Sequence, residues 1–329
     1  MARIFVTGST LAPEAQALLV EHQCTCGFGN ESDSSDEIAR KLAAFKPDGL
    51  IVRKGVINAA VIGAAATLKA ISKHGVGVDN IDVAAATRRG IPVMITASAN
   101  YESVAEHAFA LIFALARGIA TQDRKIRQGV WDRSGYDGDD LRGKTLGLVG
   151  FGRIGRRLAE LVRPLEIRVM AFDPYVRLPE FCMQALDLKQ LLAAADVVSI
   201  HCPLTRDTRG LIGRAELAAM KPGACIVNTA RGPVIDETAL IEALREKRIA
   251  SAALDTLEKE PPDPGNPLLA MDNVIISAHV GGISRTAFRN MGVGAVENIL
   301  AVLEGRMPEP GCLVNPEVCQ AAPVGPATL

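Results

Sequence analysis

The run Gly150-Phe151-Gly152-Arg153-Ile154-Gly155 constrains this 329-residue chain more than any other feature, and its surroundings matter as much as its glycines. Residues 145–149 before it are apolar and read as a buried strand. Residues 156–162 after it carry apolar side chains at helical spacing. A second apolar run, residues 167–172, ends in Asp173. Strand, glycine turn, helix, second strand and terminal acid together predict a βαβ unit that binds a dinucleotide. Gly150 permits the tight turn, Gly152 lets the backbone approach a pyrophosphate, and Gly155 allows close helix–strand packing. The helix start offers free N–H groups and the positive end of its dipole. The runs Gly27-Phe28-Gly29 and Gly75-Val76-Gly77 lack the third glycine and read as turns.

The motif begins near mid-chain, so another unit is expected ahead of it. Strands are predicted at residues 3–6, 49–52, 68–72 and 93–96, with helices at 13–21, 36–45 and 59–65 between them. Such alternation predicts a parallel sheet. A long apolar helix follows over 102–118, then a polar loop over 129–142. Further strands are predicted at 197–201, 225–228, 250–255 and 274–277, a helix at 286–305, and an irregular tail at 309–329. The expected fold class is α/β, with two Rossmann-like doubly wound parallel sheets. Residues 1–98 with 286–329 would form a smaller substrate domain, and 99–285 a cofactor domain inserted into it. A cleft between such domains is where a small ligand is expected.

Composition narrows the partners. A net charge of −1 without blocks of like charge argues against nucleic acid and acidic membrane surfaces. No apolar run reaches the roughly 18 residues of a membrane span, and the start runs directly into a strand rather than a signal peptide. Seven cysteines without CxxC pairs or Cys/His clusters predict reduced thiols in a cytoplasmic protein and no metal site.

Asp173, placed to accept hydrogen bonds from a ribose 2′-OH and to repel a 2′-phosphate, favours NAD over NADP, with Arg177 four residues on as a possible counterweight. A nicotinamide enzyme acting on an alcohol or ketone needs a group that exchanges a proton near neutral pH, and histidine suits. His279 follows a predicted strand at the carboxyl edge where α/β sites form. His74 and His201 also end strands, whereas His107 reads as a satisfied core residue and His22 as a surface one. The acids after residue 254 and Arg231 in Asn228-Thr229-Ala230-Arg231-Gly232 follow neighbouring strands.

In order along the chain stand the glycine run, His201-Cys202-Pro203-Leu204-Thr205, Asn228-Thr229-Ala230-Arg231-Gly232, Asp255 with Glu260-Pro261, and Ser277-Ala278-His279. Over roughly residues 45–315 the chain resembles the D-isomer-specific 2-hydroxyacid dehydrogenases, the group that includes D-3-phosphoglycerate dehydrogenase and hydroxypyruvate/glyoxylate reductase. The resemblance implies hydride transfer between NAD and C2 of a small anionic 2-hydroxy or 2-keto acid. Arg231 would grip the carboxylate and polarise the C2 oxygen, His279 would exchange the proton, and Glu260 would set its tautomer. Cofactor contacts would come from Gly150, Gly152, Arg153, Ile154, Gly155 and Asp173. Cys202, Pro203, Thr208, Thr229, Ala230, Asp255 and Gly281 would complete them. The substrate's anionic end would meet the amides of Val76 and Gly77, with Arg53 and Asn100 beside it. The resemblance also implies a homodimer paired through the cofactor domain. Ala278 stands where relatives often carry Pro, and Leu257 where they often carry an aromatic. Two other readings share this fold: a dehydrogenase of another small anion, and a non-catalytic NAD-sensing binding protein.

Overall fold

The structure, a computed structural model, describes residues 1–134, 136–306, 308, 309 and 311–320. The chain divides into two compact units, Met1–Asn100 together with the chain from Ser284 onward, and Tyr101–Ile283. Each is built on its own parallel sheet with helices, as the α/β reading expects.

In the first unit the elements run β1 (Arg3–Thr7), α1 (Pro13–Glu21), β2 (Thr25–Phe28), α2 (Ser35–Phe45), β3 (Gly49–Val52), α3 (Ala59–Ala64), β4 (Ala70–Lys73), α4 (Val83–Arg88) and β5 (Val93–Met94). The sheet order is β2-β1-β3-β4-β5. Buried strands such as Gly-Leu-Ile-Val of β3 are apolar throughout because helices cover both faces. One layer buries Ile38, Leu42, Val61 and Ile62, and the other buries Leu11, Leu19, Val296 and Ile299. A Cβ on Gly49 would lie 2.4 Å from Ile299 Cγ2, so glycine lets a late helix lie close to the sheet.

The second unit runs α5 (Tyr101–Ala116), α6 (Ile119–Arg127), β6 (Thr145–Val149), α7 (Arg153–Val162), β7 (Arg168–Phe172), β8 (Cys182–Gln184), α8 (Leu188–Ala194), β9 (Val197–Ile200), α9 (Arg214–Ala219), β10 (Cys225–Asn228), α10 (Glu237–Arg245), β11 (Ser251–Leu254) and β12 (Val274–Ile276). Its sheet order, β12-β11-β10-β9-β6-β7-β8, reverses direction at β6. Ligands of open α/β sheets bind at such switch points. The chain then returns to the first unit in α11 (Arg285–Leu303) and α12 (Glu317–Gln320).

The sequence patterns predict no strand at β2 or β8 and no helix at α4, α6, α8, α9 or α10, and α12 stands in the tail expected to be irregular. β2 and β8 are edge strands that bury only part of their surface, and β2 carries the glycine of the Gly27-Phe28-Gly29 run read as a turn. α4 spans six residues, and α6 buries none of its side chains. No single helix among the described residues is long and apolar enough to cross a membrane. Residue 307 and, of the expected tail, residues 310 and 321–329 lie outside the described residues. The described part is tied down: buried Asn315 accepts from Val93 N (2.7 Å) and donates to Ile91 O (3.0 Å) and Thr87 Oγ1 (2.9 Å). Leaving such buried backbone groups unpaired costs about 1–3 kcal/mol each. Asn315→Ala is therefore expected to destabilise the protein by about 2–4 kcal/mol in urea denaturation, and a change within 0.5 kcal/mol would show that the tail is not fastened there.

Candidate active site

Strand register brings the sequence motifs into one row. Val149 pairs with Phe172 on one side and Ile200 on the other. Ile200 pairs with Asn228, Asn228 with Leu254, and Leu254 with Ile276. The next residue of each strand therefore stands just past the carboxyl edge, in the spatial order Ser277, Asp255, Thr229, His201, Gly150, Asp173. Sequence separations of up to 127 positions vanish because parallel strands end level.

At Gly150 the backbone takes φ +95°, and a Cβ would lie 2.8 Å from Cys202 N. At Gly155 a Cβ would lie 2.5 Å from Gly150 O. Both glycines are therefore demanded by close backbone approach. Gly152 differs: it is exposed, and a Cβ there would meet nothing within 4 Å. That open ground lies at the start of α7, whose first residues are exposed Arg153 and half-buried Ile154. Unpaired helix-start amides beside open space fit a pyrophosphate. Asp173 accepts from Phe151 N (2.8 Å) through one oxygen and from Tyr175 N (2.9 Å) through the other. Its orientation is thus fixed while lone pairs remain for ribose hydroxyls. Asp173 lines a cavity of about 400 Å³ with Tyr175, Arg177 and Leu186, large enough for an adenosine moiety. After β9, Thr208 Oγ1 donates to Pro203 O (2.6 Å) and closes the loop that carries half-buried Cys202. The residues present fit a dinucleotide.

The reactive side chains stand after β10, β11 and β12. Buried Asn228 donates to Arg231 O (2.9 Å) and accepts from Ala230 N (3.0 Å), an Asx-type brace on the Thr229–Arg231 turn. Half-buried Arg231 donates through Nη1 to Ala230 O (2.7 Å). A Cβ on Gly232 would lie 2.0 Å from Leu257 O, so the arginine turn presses against the backbone that leads to Glu260. Glu260 accepts from Leu257 N (3.1 Å) with Oε1 and stands 2.8 Å from His279 Nδ1 with Oε2. The His279 side chain is 46% exposed, and its Nδ1 faces the carboxylate, so Nε2 is the nitrogen left for a reacting molecule. His279 also holds φ +53°, a left-handed conformation that costs a non-glycine residue on the order of 1–3 kcal/mol.

Asp255 sustains that conformation. It is 2% exposed, and its carboxylate accepts from Ser277 Oγ (2.6 Å), Val280 N (2.9 Å) and Gly281 N (2.8 Å), with His107 Nε2 at 3.4 Å. Its backbone oxygen accepts from His279 N at 2.8 Å. Burial pushes this carboxyl up, but the hydrogen bonds from His107, Ser277, Gly281 and Val280 outweigh it and hold the group well below the usual carboxylate range. A Cβ on Gly281 would lie 2.8 Å from Asp255 Oδ2, so the turn closes directly onto the acid.

Other expected residues lie elsewhere. Val76 is exposed and Gly77 half-buried in the first unit, where Thr96 braces Gly75 through paired hydrogen bonds. Arg53 is already engaged: Nη1 donates to Thr10 O (2.8 Å) and Glu31 (3.1 Å), and its guanidinium lies 5.1 Å from the Phe288 ring centroid. Asn100 is half-buried at the end of the first unit. His22 pairs with Glu304 at 3.3 Å. Sequence reasoning missed the roles of Asn228, Ser277 and His107. For Asn228 a signal existed, since Asn opening a turn commonly hydrogen-bonds its own backbone two residues on.

The family of the D-isomer specific 2-hydroxyacid dehydrogenase NAD-binding domain matches residues 109–281. Glyoxylate reductase of Thermofilum pendens is 39% identical over 98% of both chains. D-3-phosphoglycerate dehydrogenase of Archaeoglobus fulgidus is 43% identical over 276 residues, but the chain spans only 52% of that protein's length. Among solved structures, the TT0316 protein of Thermus thermophilus aligns with TM-score 0.88 and 38% identity, covering 95% of this chain and 99% of that one. A glyoxylate reductase from Paecilomyes thermophila aligns with TM-score 0.85 and 29% identity, covering 96% and 99%. The chain belongs to the D-isomer specific 2-hydroxyacid dehydrogenases, and its cofactor is NAD.

Two half-buried histidines give the fold a pH dependence. His201 Nε2 pairs with Ser199 Oγ (2.9 Å) while Nδ1 is buried without a partner, so neither ring nitrogen is presented for proton exchange. Burial pushes its imidazole down to about 4, and burial with the nearby Arg53 does the same for His74. Folding thus favours the neutral forms against an ordinary value of about 6.5. Their contribution is full above pH 6.5 and is lost as pH falls towards 4, up to roughly 3 kcal/mol each. Urea midpoints are expected to fall across this window in the wild type and less steeply in His201→Gln; equal slopes would refute the assignment.

Proposed function

We propose that this protein is an NAD-dependent oxidoreductase that interconverts small 2-keto acids and their D-2-hydroxy acids, of glyoxylate, hydroxypyruvate or phosphohydroxypyruvate type. The observation that carries the reading is the Glu260–His279 pair at 2.8 Å, level with the Arg231 turn and in the same unit as the glycine-rich turn. The unit Tyr101–Ile283 serves as the cofactor domain and the other as the substrate domain. Gly150, Gly152, Arg153, Ile154 and Gly155 hold the pyrophosphate, and Asp173 holds the adenosine ribose. The loops of Cys202, Pro203 and Thr208, of Thr229 and Ala230, and of Gly281 complete the cofactor site, with Asp255 acting through the turn it fixes. When bound, the nicotinamide supplies or accepts the hydride.

Arg231 grips the substrate carboxylate and polarises the C2 oxygen, because a guanidinium presents paired donors in a plane. His279 Nε2 gives a proton to that oxygen during reduction and takes it back during oxidation. Glu260 fixes the proton on Nδ1 and stabilises the imidazolium. In the first unit, the amides of Val76 and Gly77 bind the anionic end of the substrate, with Arg53 and Asn100 beside them.

The protein works as a homodimer paired through its cofactor domain. α6 buries none of its side chains, and Ile119, Ile126, Val130 and the 81% exposed Trp131 lie on it or directly after it. Six free thiols among the described cysteines suit a reducing cytoplasm.

NADH absorbance followed against glyoxylate, hydroxypyruvate, phosphohydroxypyruvate and pyruvate tests the reading. At least one should drive oxidation. Arg231→Ala and His279→Ala should each lower kcat/KM by about 10²–10⁴ while NADH affinity, read by fluorescence, stays within about threefold. Tight NADH binding without turnover on any of the four would support a binding protein instead.

A further inference from the structure

His107 has a polar task that its apolar helix conceals. It lies on α5 among buried Val104, Ala105, Ala108 and Leu111, 170 residues before the Ser277 hydroxyl that its Nε2 meets at 3.0 Å. Ser277 has one hydroxyl hydrogen, and the shortest bond it makes, 2.6 Å, runs to Asp255 Oδ1. Its oxygen is therefore the acceptor towards His107, which places the imidazole proton on Nε2. The same nitrogen stands 3.4 Å from Asp255 Oδ1. The imidazole thus orients the hydroxyl and faces the carboxylate that receives the Val280 and Gly281 amides. Those two amides directly follow His279, whose left-handed backbone has no glycine to ease it.

We propose that His107 is a positioning residue for His279, acting through Ser277 and Asp255. The role rests on the reading of His279 as the proton donor. Without the Nε2–H, the Ser277 hydroxyl is free to turn away, and the carboxylate loses donors on the side that faces the helix. The turn then holds Val280 and Gly281 less firmly, and His279 leaves its strained conformation for part of the time. A residue that merely fills space would be replaceable by any side chain of similar volume; this role requires a donor at the position of Nε2.

Two variants separate these cases. His107→Leu keeps the bulk and removes the donor, whereas His107→Gln carries an amide N–H at similar reach. Amide hydrogen exchange of the segment 278–283, measured on the folded protein, reads the turn without reference to turnover. Exchange at Val280 and Gly281 should quicken at least tenfold in His107→Leu and stay within threefold of wild type in His107→Gln. Ser277→Ala should reproduce the leucine result, which keeps the test open if His107→Leu fails to fold. In keto-acid reduction, His107→Leu should lower kcat tenfold to a hundredfold with KM changed less than threefold, and His107→Gln should recover most of it. Unchanged exchange in both His107→Leu and Ser277→Ala would overturn the proposal, as would equal impairment of the leucine and glutamine variants. A wild-type protein inert towards every keto acid would instead refute the reading of the site, and the exchange arm would still decide whether His107 holds the turn.

Discussion

The Asp255 carboxylate is the contact on which the candidate site depends. A buried, ionised acid is costly unless several donors face it, and this one is faced by Ser277, Val280, Gly281 and His107. The compensation runs both ways. The donors keep the acid ionised, and the acid holds two successive amides in a turn whose first residue is the left-handed His279. Glu260 then has a fixed partner at Nδ1, and the other ring nitrogen is presented outwards.

The turn is one member of a larger arrangement. Six strands of the second unit end level, so that Gly150, Asp173, His201, Thr229, Asp255 and Ser277 share one edge. Where backbones crowd at this edge, glycine is required: Gly150 against Cys202, Gly155 against Gly150 and Gly232 against Leu257, while Gly281 lies against the Asp255 carboxylate. Where a phosphate would lie, at Gly152, the space is open. The same residue type thus serves two opposite purposes within six positions.

Much of this was legible in the sequence because central parallel strands are apolar on both faces and end in their functional residues. β6, β7, β9, β10 and β11 were all visible in that way, and edge strand β12 was visible through its apolar run alone. Several elements that bury little were not: edge strands β2 and β8 carry weak patterns, and α6 buries none of its side chains. The chemistry at strand ends was readable for Arg231, Glu260 and His279 through their motifs. His107 was not, because its partners lie 148 and 170 residues away and its neighbours make it look like core. Asp255 was legible as a site residue, but its commitment to the turn depends on hydrogen-bond geometry that spacing does not reveal. His201, which ends a strand as His279 nearly does, has one ring nitrogen buried and the other on Ser199, a distinction that spacing does not reveal.

The most direct test of this account is the turnover of Asp255→Asn, compared with its NADH affinity and its unfolding midpoint. An amide of the same shape loses the charge and half of the acceptor capacity that hold the Val280 and Gly281 amides. The expected result is a fall in kcat of about a hundredfold, roughly 2.7 kcal/mol in the barrier, in a protein that still folds and still binds NADH. A variant with kcat within twofold of wild type would contradict the claim that this carboxylate holds the catalytic turn.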